Sequence, residues 1–149
     1  FELKLLGKVS QEILDSILEY QLDKHTNNLG YVSHIEAIQH QRKSQVLLLI
    51  EIDSEETKSI IPGKLFEYLV SERPIIAVGP RDSDFAEIIT STNTGVFFTY
   101  TEKERLKKTI LSYFELYLEK KLKVFPVGLQ QYSRKSLTEQ LAKLIIHNS

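Results

Sequence analysis

Residues 45–52 read QVLLLIEI, and the reading of this run decides the fold. From Val46 to Ile50 every residue is apolar, with no alternation. A strand buried on both faces of a parallel sheet is therefore expected here, at the centre of that sheet. Outward from it, short apolar runs alternate with longer amphipathic ones, the pattern of parallel strands joined by crossover helices. ELKLLG at 2–7 and NNLGYV at 27–32 read as the strands before it. IIAVG at 75–79 and GVFFTY at 95–100 read as the strands after it.

The intervening segments carry helix signals. Ser10 is placed to cap a helix bearing Ile13, Ile17, Leu18 and Tyr20. SHIE at 33–36 offers a capping box, in which Ser33 and Glu36 satisfy each other's free amides. GKLFEYLVS at 63–71 and SDFAEIITS at 83–91 read as the next helices. A second box, Thr101 to Glu104, is expected to start a long helix ending near Lys121. FPVGLQQ at 125–131 reads as an irregular connector, and a terminal helix is expected from Arg134, with Leu137, Leu141, Leu144 and Ile145 on one side. The expected architecture is α/β: one three-layer Rossmann-like domain over 1–149, with a mainly parallel sheet of about five strands. Ligands of such sheets bind outside the carboxyl ends of the strands.

Composition bounds the function. With 149 residues the chain can bury a core of ordinary size. Nineteen basic and 20 acidic residues leave a formal charge of -1, so no global basic field points to nucleic acid. The absence of cysteine excludes disulfides, thiolate metal sites and cysteine nucleophiles, and suits a reducing, cytoplasmic setting. The apolar stretches VLLLI at 46–50 and IIPGKLF at 60–66 are far short of the roughly 18 to 20 residues that span a bilayer. There is no methionine, and Phe1 leads directly into a strand-like run, so a piece of a longer protein is expected.

Residues 60–69, IIPGKLFEYL, carry the chemistry. Pro62 suits a first helical turn, and Gly63 lets a ligand approach the backbone closely. Free amides, the helix dipole and Lys64 together suit an anion such as a phosphate. Glu67 suits a neutral diol instead, accepting two charge-assisted hydrogen bonds, and ribose is such a diol. The plainer alternative is that Glu67 complements the helix dipole and Lys64 is simply solvated.

The order LGYVS, VLLLI, PGKLFEYLVSERPIIAVGP, DFAEII, TGVFF resembles the C-terminal domain of nucleotide-sugar-dependent glycosyltransferases of the GT-B fold, family-four type. The resemblance runs from about Leu3 to the terminal helix, and KLFEYL with RPIIAVGP is its most specific part. It implies an enzyme that transfers a sugar from an NDP-sugar, UDP- or GDP-linked, to a saccharide or lipid-linked acceptor. No further cofactor and no metal are implied. In that family the second of two glutamates eight apart binds the donor ribose, and Glu67 matches it. The first would fall at Ser59, where this chain departs from the pattern. By the same resemblance Ile61, Pro62, Gly63 and Lys64 would meet the diphosphate, and Leu65 would pack beside the nucleoside. Tyr31 and Val32, with Gly30, would border the base, and Gly7 and Lys8 would lie at the cleft mouth. Catalytic residues would belong to an N-terminal domain of the same chain, so the isolated domain is expected to bind without turnover. Two alternatives stand beside this: a nucleotide-sugar epimerase of the same fold, and a degenerate binding module.

Other candidates have simpler explanations. His25, His34, His40 and His147 are scattered, and the pair six apart does not match a zinc pair at four. Ser83 and Asp84 follow the IIAVG strand and would reach the cleft, although helix capping is their commoner role. Asp53, Glu55 and Glu56 form an acidic loop at the same edge. The basic run EKKLKVF at 119–125, beside Tyr113, Phe114 and Tyr117, reads as a solvated helix end. By the resemblance it would make a peripheral contact with an anionic membrane, at the inner face. A receiver domain is argued against by the first strand, which ends in Gly7-Lys8 without an acidic pair.

Overall fold

The computed structural model describes residues 1–147, and the chain is α/β. Among the described residues it has six α-helices and two small parallel sheets. It divides into two compact units, Phe1–His40 and Gln41–Ser149.

The first unit holds strand β1 (Leu3–Leu6), helix α1 (Gln11–Glu19), strand β2 (Thr26–Gly30) and most of helix α2 (His34–Lys43). β1 and β2 pair in parallel, with a register shift at Leu5/Leu6. Both expected caps are present. Ser10 Oγ accepts the amide of Ile13 at 3.4 Å. Ser33 and Glu36 form the reciprocal box: the Ser33 amide donates to Glu36 Oε2 at 2.9 Å, and the Glu36 amide to Ser33 Oγ at 3.3 Å. No residue of this unit is fully buried, as expected of about forty residues with too little volume to enclose a core.

The second unit holds strand β3 (Leu47–Ile50), helix α3 (Lys64–Leu69), strand β4 (Ile75–Val78), helix α4 (Asp84–Ser91), strand β5 (Gly95–Phe98), helix α5 (Lys103–Leu118) and helix α6 (Arg134–His147). Its sheet has the order β3-β4-β5, all parallel. Leu49, Ile75 and Ala77 face Leu65 and Leu69 of α3 and Phe85, Ile88 and Ile89 of α4 in one core cluster. On the opposite face Ile76, Val78 and Phe98 pack with Leu106 and Tyr113 of α5. Both crossover helices, α3 and α4, thus share a face, as they must when successive crossovers keep one hand while the sheet grows in one direction.

Two expectations are corrected here. β3 is neither central in its sheet nor buried on both faces. β4 takes the middle, with all four residues buried, whereas Leu48 and Ile50 of β3 are 42% and 55% exposed. An apolar run cannot reveal which strand has neighbours on both sides. The second capping box is also displaced by two residues. Helix α5 starts at Lys103, and it is Thr99 that meets Glu102, the amide donating to Oε2 at 2.8 Å and the hydroxyl at 3.1 Å. Thr99 and Thr101 both stand three residues before a glutamate, and the strand's end at Phe98 selects the earlier pair.

Helix ends share one device. α1, α4 and α5 are followed by Gln21, Asn93 and Lys120 in the left-handed region, at φ 55, 52 and 58. The next amide then turns back onto the helix, Leu22 to Ile17 O, Thr94 to Ile89 O and Lys121 to Leu116 O. This satisfies carbonyls that the helix end would leave unpaired. No helix among the described residues is long and apolar enough to cross a membrane.

Candidate functional site

In the second unit the carboxyl ends of the three strands are tied together. Glu51, just past β3, donates its amide to Val78 O at 2.9 Å, and Gly79 donates to Phe98 O at 3.1 Å. Tyr100, just past β5, donates its hydroxyl to Glu51 O at 3.0 Å. Burial raises the Tyr100 phenol above its ordinary value, and the carboxylates of Asp53 and Glu51 add to that.

The loop from β3 to α3 is built on Thr57. Its buried hydroxyl donates within the loop, to Ile52 O at 2.5 Å and Ser54 O at 3.0 Å. Lys58 O in turn accepts the amide of Asp84 at 2.9 Å, which fastens this loop to the start of α4. Glu55 is engaged with Lys58 in an ion pair of 2.8 Å, while Asp53, Glu56 and Ser59 are exposed.

The run singled out in the sequence follows. Ile61, Gly63 and Lys64 are exposed, Pro62 is buried, and Leu65 is wholly enclosed in the core. Gly63 already has helical angles, and the Leu65 amide donates to Pro62 O at 2.8 Å, so this turn is closed from Pro62 onward. A methyl group on Gly63 would meet nothing within 4 Å, so the space beside this backbone is open. α3 has only six residues, and its dipole is correspondingly short.

Glu67 lies one turn into α3 and is half-buried. Its Oε2 accepts a hydrogen bond from Gln41 Nε2 at 2.9 Å. Gln41 is in the last turn of α2, and its neighbour Arg42 is clamped in place: Arg73 Nε and Nη2 donate to Arg42 O at 3.0 and 2.6 Å. The Tyr68 phenol beside Glu67 is pushed above its ordinary value by burial and then by the Glu67 charge. Nothing in the sequence signals the Gln41–Glu67 contact, because the partners are 26 residues apart on different helices.

The remaining expected residues, Gly7, Lys8, Tyr31 and Val32, belong to the first unit. Gly7 and Gly30 both take left-handed φ values, 102 and 66, and the Gly7 amide donates to Gly30 O at 2.7 Å. This extends the β1–β2 ladder and brings Gly7-Lys8 beside Gly30-Tyr31 at one end of that pair. Lys8 and Tyr31 are exposed, and Val32 is half-buried.

A cavity of about 580 Å³ adjoins the start of α4, lined in part by Arg81, Ser83, Asp84, Glu87, Glu102 and Arg105. Ser83 stands at the cap position but makes no capping bond, and its buried hydroxyl has no partner. Glu102 and Arg105 pair at 2.8 Å. The Thr99 amide, and then Arg105, hold the Glu102 carboxyl below its ordinary value. Acids outnumber arginines in this lining, which disfavours a phosphate and suits ligand hydroxyls. Among the described residues no group of His, Asp and Glu side chains could hold a metal ion. At the end of α5, Tyr113 packs on the sheet, Phe114 and Tyr117 are 48% and 49% exposed, and Lys121 pairs with Glu119.

No protein-family model matches this chain, and no curated protein or solved structure is significantly similar to it.

Proposed function

We propose that the chain is the donor-binding part of a nucleotide-sugar-dependent glycosyltransferase of the GT-B type. In this reading it is a three-layer Rossmann-like domain with a mainly parallel sheet of about five strands. The donor is a UDP- or GDP-sugar, and the acceptor is a saccharide or a lipid-linked saccharide. Catalysis requires a second domain closing over the donor, so the chain alone binds and does not turn over.

The observation that carries the reading is the placement of Glu67. It is half-buried on α3, one turn past the exposed Gly63 and Lys64, and accepts a hydrogen bond from the Gln41 amide. An ionised carboxylate has two oxygens and about four acceptor sites, so a hydrogen bond from Gln41 is compatible with others from the hydroxyls of a ribose. Exposed Lys64, one turn earlier, supplies a point charge for the diphosphate. The leaving nucleoside diphosphate is then held at both its sugar and its charge, which is what stabilises the developing negative charge in transfer.

The test is Glu67→Ala, with nucleoside diphosphate affinity measured by calorimetry. Loss of roughly 1.5 to 3 kcal/mol, about one to two orders of magnitude in Kd, is the expected result. An unchanged affinity removes Glu67 from the site.

A further inference from the structure

We propose that the open cavity beside the start of α4 is a saccharide-binding site, in which the buried Ser83 hydroxyl and the Glu87 carboxylate bond ligand hydroxyls and Phe97 meets the apolar face of the sugar ring. The cavity measures about 580 Å³, within the range of small-molecule sites, about 300 to 1,000 Å³. It is lined entirely by residues of the second unit, and none of residues 61–67 is among them. The proposal therefore stands independently of the donor-binding reading.

Ser83 is 3% exposed, and its hydroxyl has no hydrogen-bond partner. It has the extended backbone of a cap residue, φ -86 and ψ 148, but its side chain caps nothing. The amides that a cap would serve are already bonded: Asp84 donates to Lys58 O at 2.9 Å, and Ala86 and Glu87 donate to Ser83 O at 3.0 and 3.2 Å. Buried polar groups are rarely left unpaired in folded chains, and this residue lines a cavity, where a bound hydroxyl completes it. Another part of the lining is fixed in advance. Arg105 Nη1 donates to Phe97 O at 3.0 Å and to Glu102 Oε1 at 2.8 Å, and its guanidinium lies 4.6 Å from the centroid of the Phe98 ring. Glu102 Oε2 accepts the Thr99 amide at 2.8 Å. Side chains held in this way need little reordering when a ligand arrives.

The charges select the ligand. Asp82, Asp84, Glu87 and Glu102 line the cavity against Arg81 and Arg105, so an anion meets four carboxylates and only two guanidinium groups. The first-turn amides of Asp84, Ala86 and Glu87, which would offset that repulsion, are the ones already bonded. A cation meets the positive end of the α4 dipole. Among the described residues no group of acidic and histidine side chains could hold a metal ion. A neutral ligand rich in hydroxyls suits both signs, since each hydroxyl can donate to a carboxylate or accept from an arginine. Phe97, half-buried in the same lining, adds an apolar face for the C–H side of a sugar ring, which sets a saccharide apart from other neutral polar ligands.

The experiment is an amide NMR titration of the full isotope-labelled chain with glucose, mannose, galactose, N-acetylglucosamine and maltose. Spermidine serves as a cationic control and inorganic pyrophosphate as an anionic one. Saturable shifts at Ser83, Asp84, Glu87 and Thr99 are expected with at least one saccharide and with neither control. Ser83→Ala and Glu87→Gln, checked for folding by thermal melts, are each expected to weaken that saccharide by about three- to tenfold. If water alone completes the Ser83 hydroxyl, Ser83→Ala leaves saccharide affinity unchanged, and the proposal is overturned. Glu87→Gln alters only an exposed side chain, and it decides the matter if Ser83→Ala fails to fold. Shifts of these residues with spermidine or pyrophosphate instead, or no shift with any saccharide, also overturn the proposal. Shifts at Gly63, Lys64 and Glu67 with nucleotides report separately on the donor-binding reading.

Discussion

The hydroxyl of Tyr100 donates to the carbonyl oxygen of Glu51 at 3.0 Å, joining the ends of β5 and β3 past the central strand β4. The bond exists only while the phenol keeps its proton. Tyr100 is raised by burial and by Asp53 and Glu51, Tyr68 by burial and by Glu67, and Tyr113 by burial alone. A raised phenol stabilises the fold fully below the ordinary value of 10.0, and that contribution is lost as pH rises through the higher folded value. The denaturation midpoint should therefore fall above pH 10 and not before it on account of these groups. Tyr100→Phe should make the fall shallower. An identical alkaline profile in the variant would remove Tyr100 from this account.

At the acid end the sign reverses. Glu102 is held below its ordinary value by the Thr99 amide first and Arg105 second. Its stabilising contribution is present above 4.5 and is lost as pH falls through the lower folded value. Carbon-detected NMR titration should place the Glu102 midpoint below 4.5, and Arg105→Ala should raise it only in part, because the amide remains.

Two glycines should respond in opposite ways to alanine. A methyl group on Gly95 would overlap the carbonyl of Ile75 in the neighbouring strand, whereas one on Gly63 meets nothing. Gly95→Ala should cost about 3 kcal/mol, since backbone cannot move aside as a side chain can. Gly63→Ala should stay within about 0.5 kcal/mol in stability. If the diphosphate lies against this backbone, Gly63→Ala nonetheless weakens nucleotide binding. Paired denaturant curves and affinities separate the two effects.

Lys120 occupies the left-handed region at the end of α5 with no glycine to ease it. Lys120→Gly should raise stability by about 1 kcal/mol, because the side-chain clash of that conformation is removed. An unchanged or lowered denaturation midpoint would mean that the entropy of the added glycine dominates.

Local features were legible in the sequence and distant ones were not. The Ser10 cap and the Ser33–Glu36 box were readable because both partners lie within one turn. Thr101–Glu104 had the right spacing but lost to Thr99–Glu102, since the choice depends on where β5 ends. The continuous apolar run at 46–50 announced a parallel strand correctly. It said nothing of strand order, so the middle place went to β4 and burial along β3 alternates. Glu67 could be picked out from its own helix. Its partner Gln41 could not, because the two residues are 26 apart in the sequence and lie on different helices.

The central claim is that this chain holds a nucleoside diphosphate at Gly63, Lys64 and Glu67. An amide NMR titration of the isotope-labelled chain with UDP, GDP, ADP and CMP tests it most directly, since even weak binding moves the resonances of contacting residues. The account predicts saturable shifts at these three residues with a diphosphate, and in Glu67→Ala saturation of the Gly63 and Lys64 shifts only at about ten- to hundredfold higher nucleotide. Unmoved resonances with every nucleotide, in a folded sample, would contradict it.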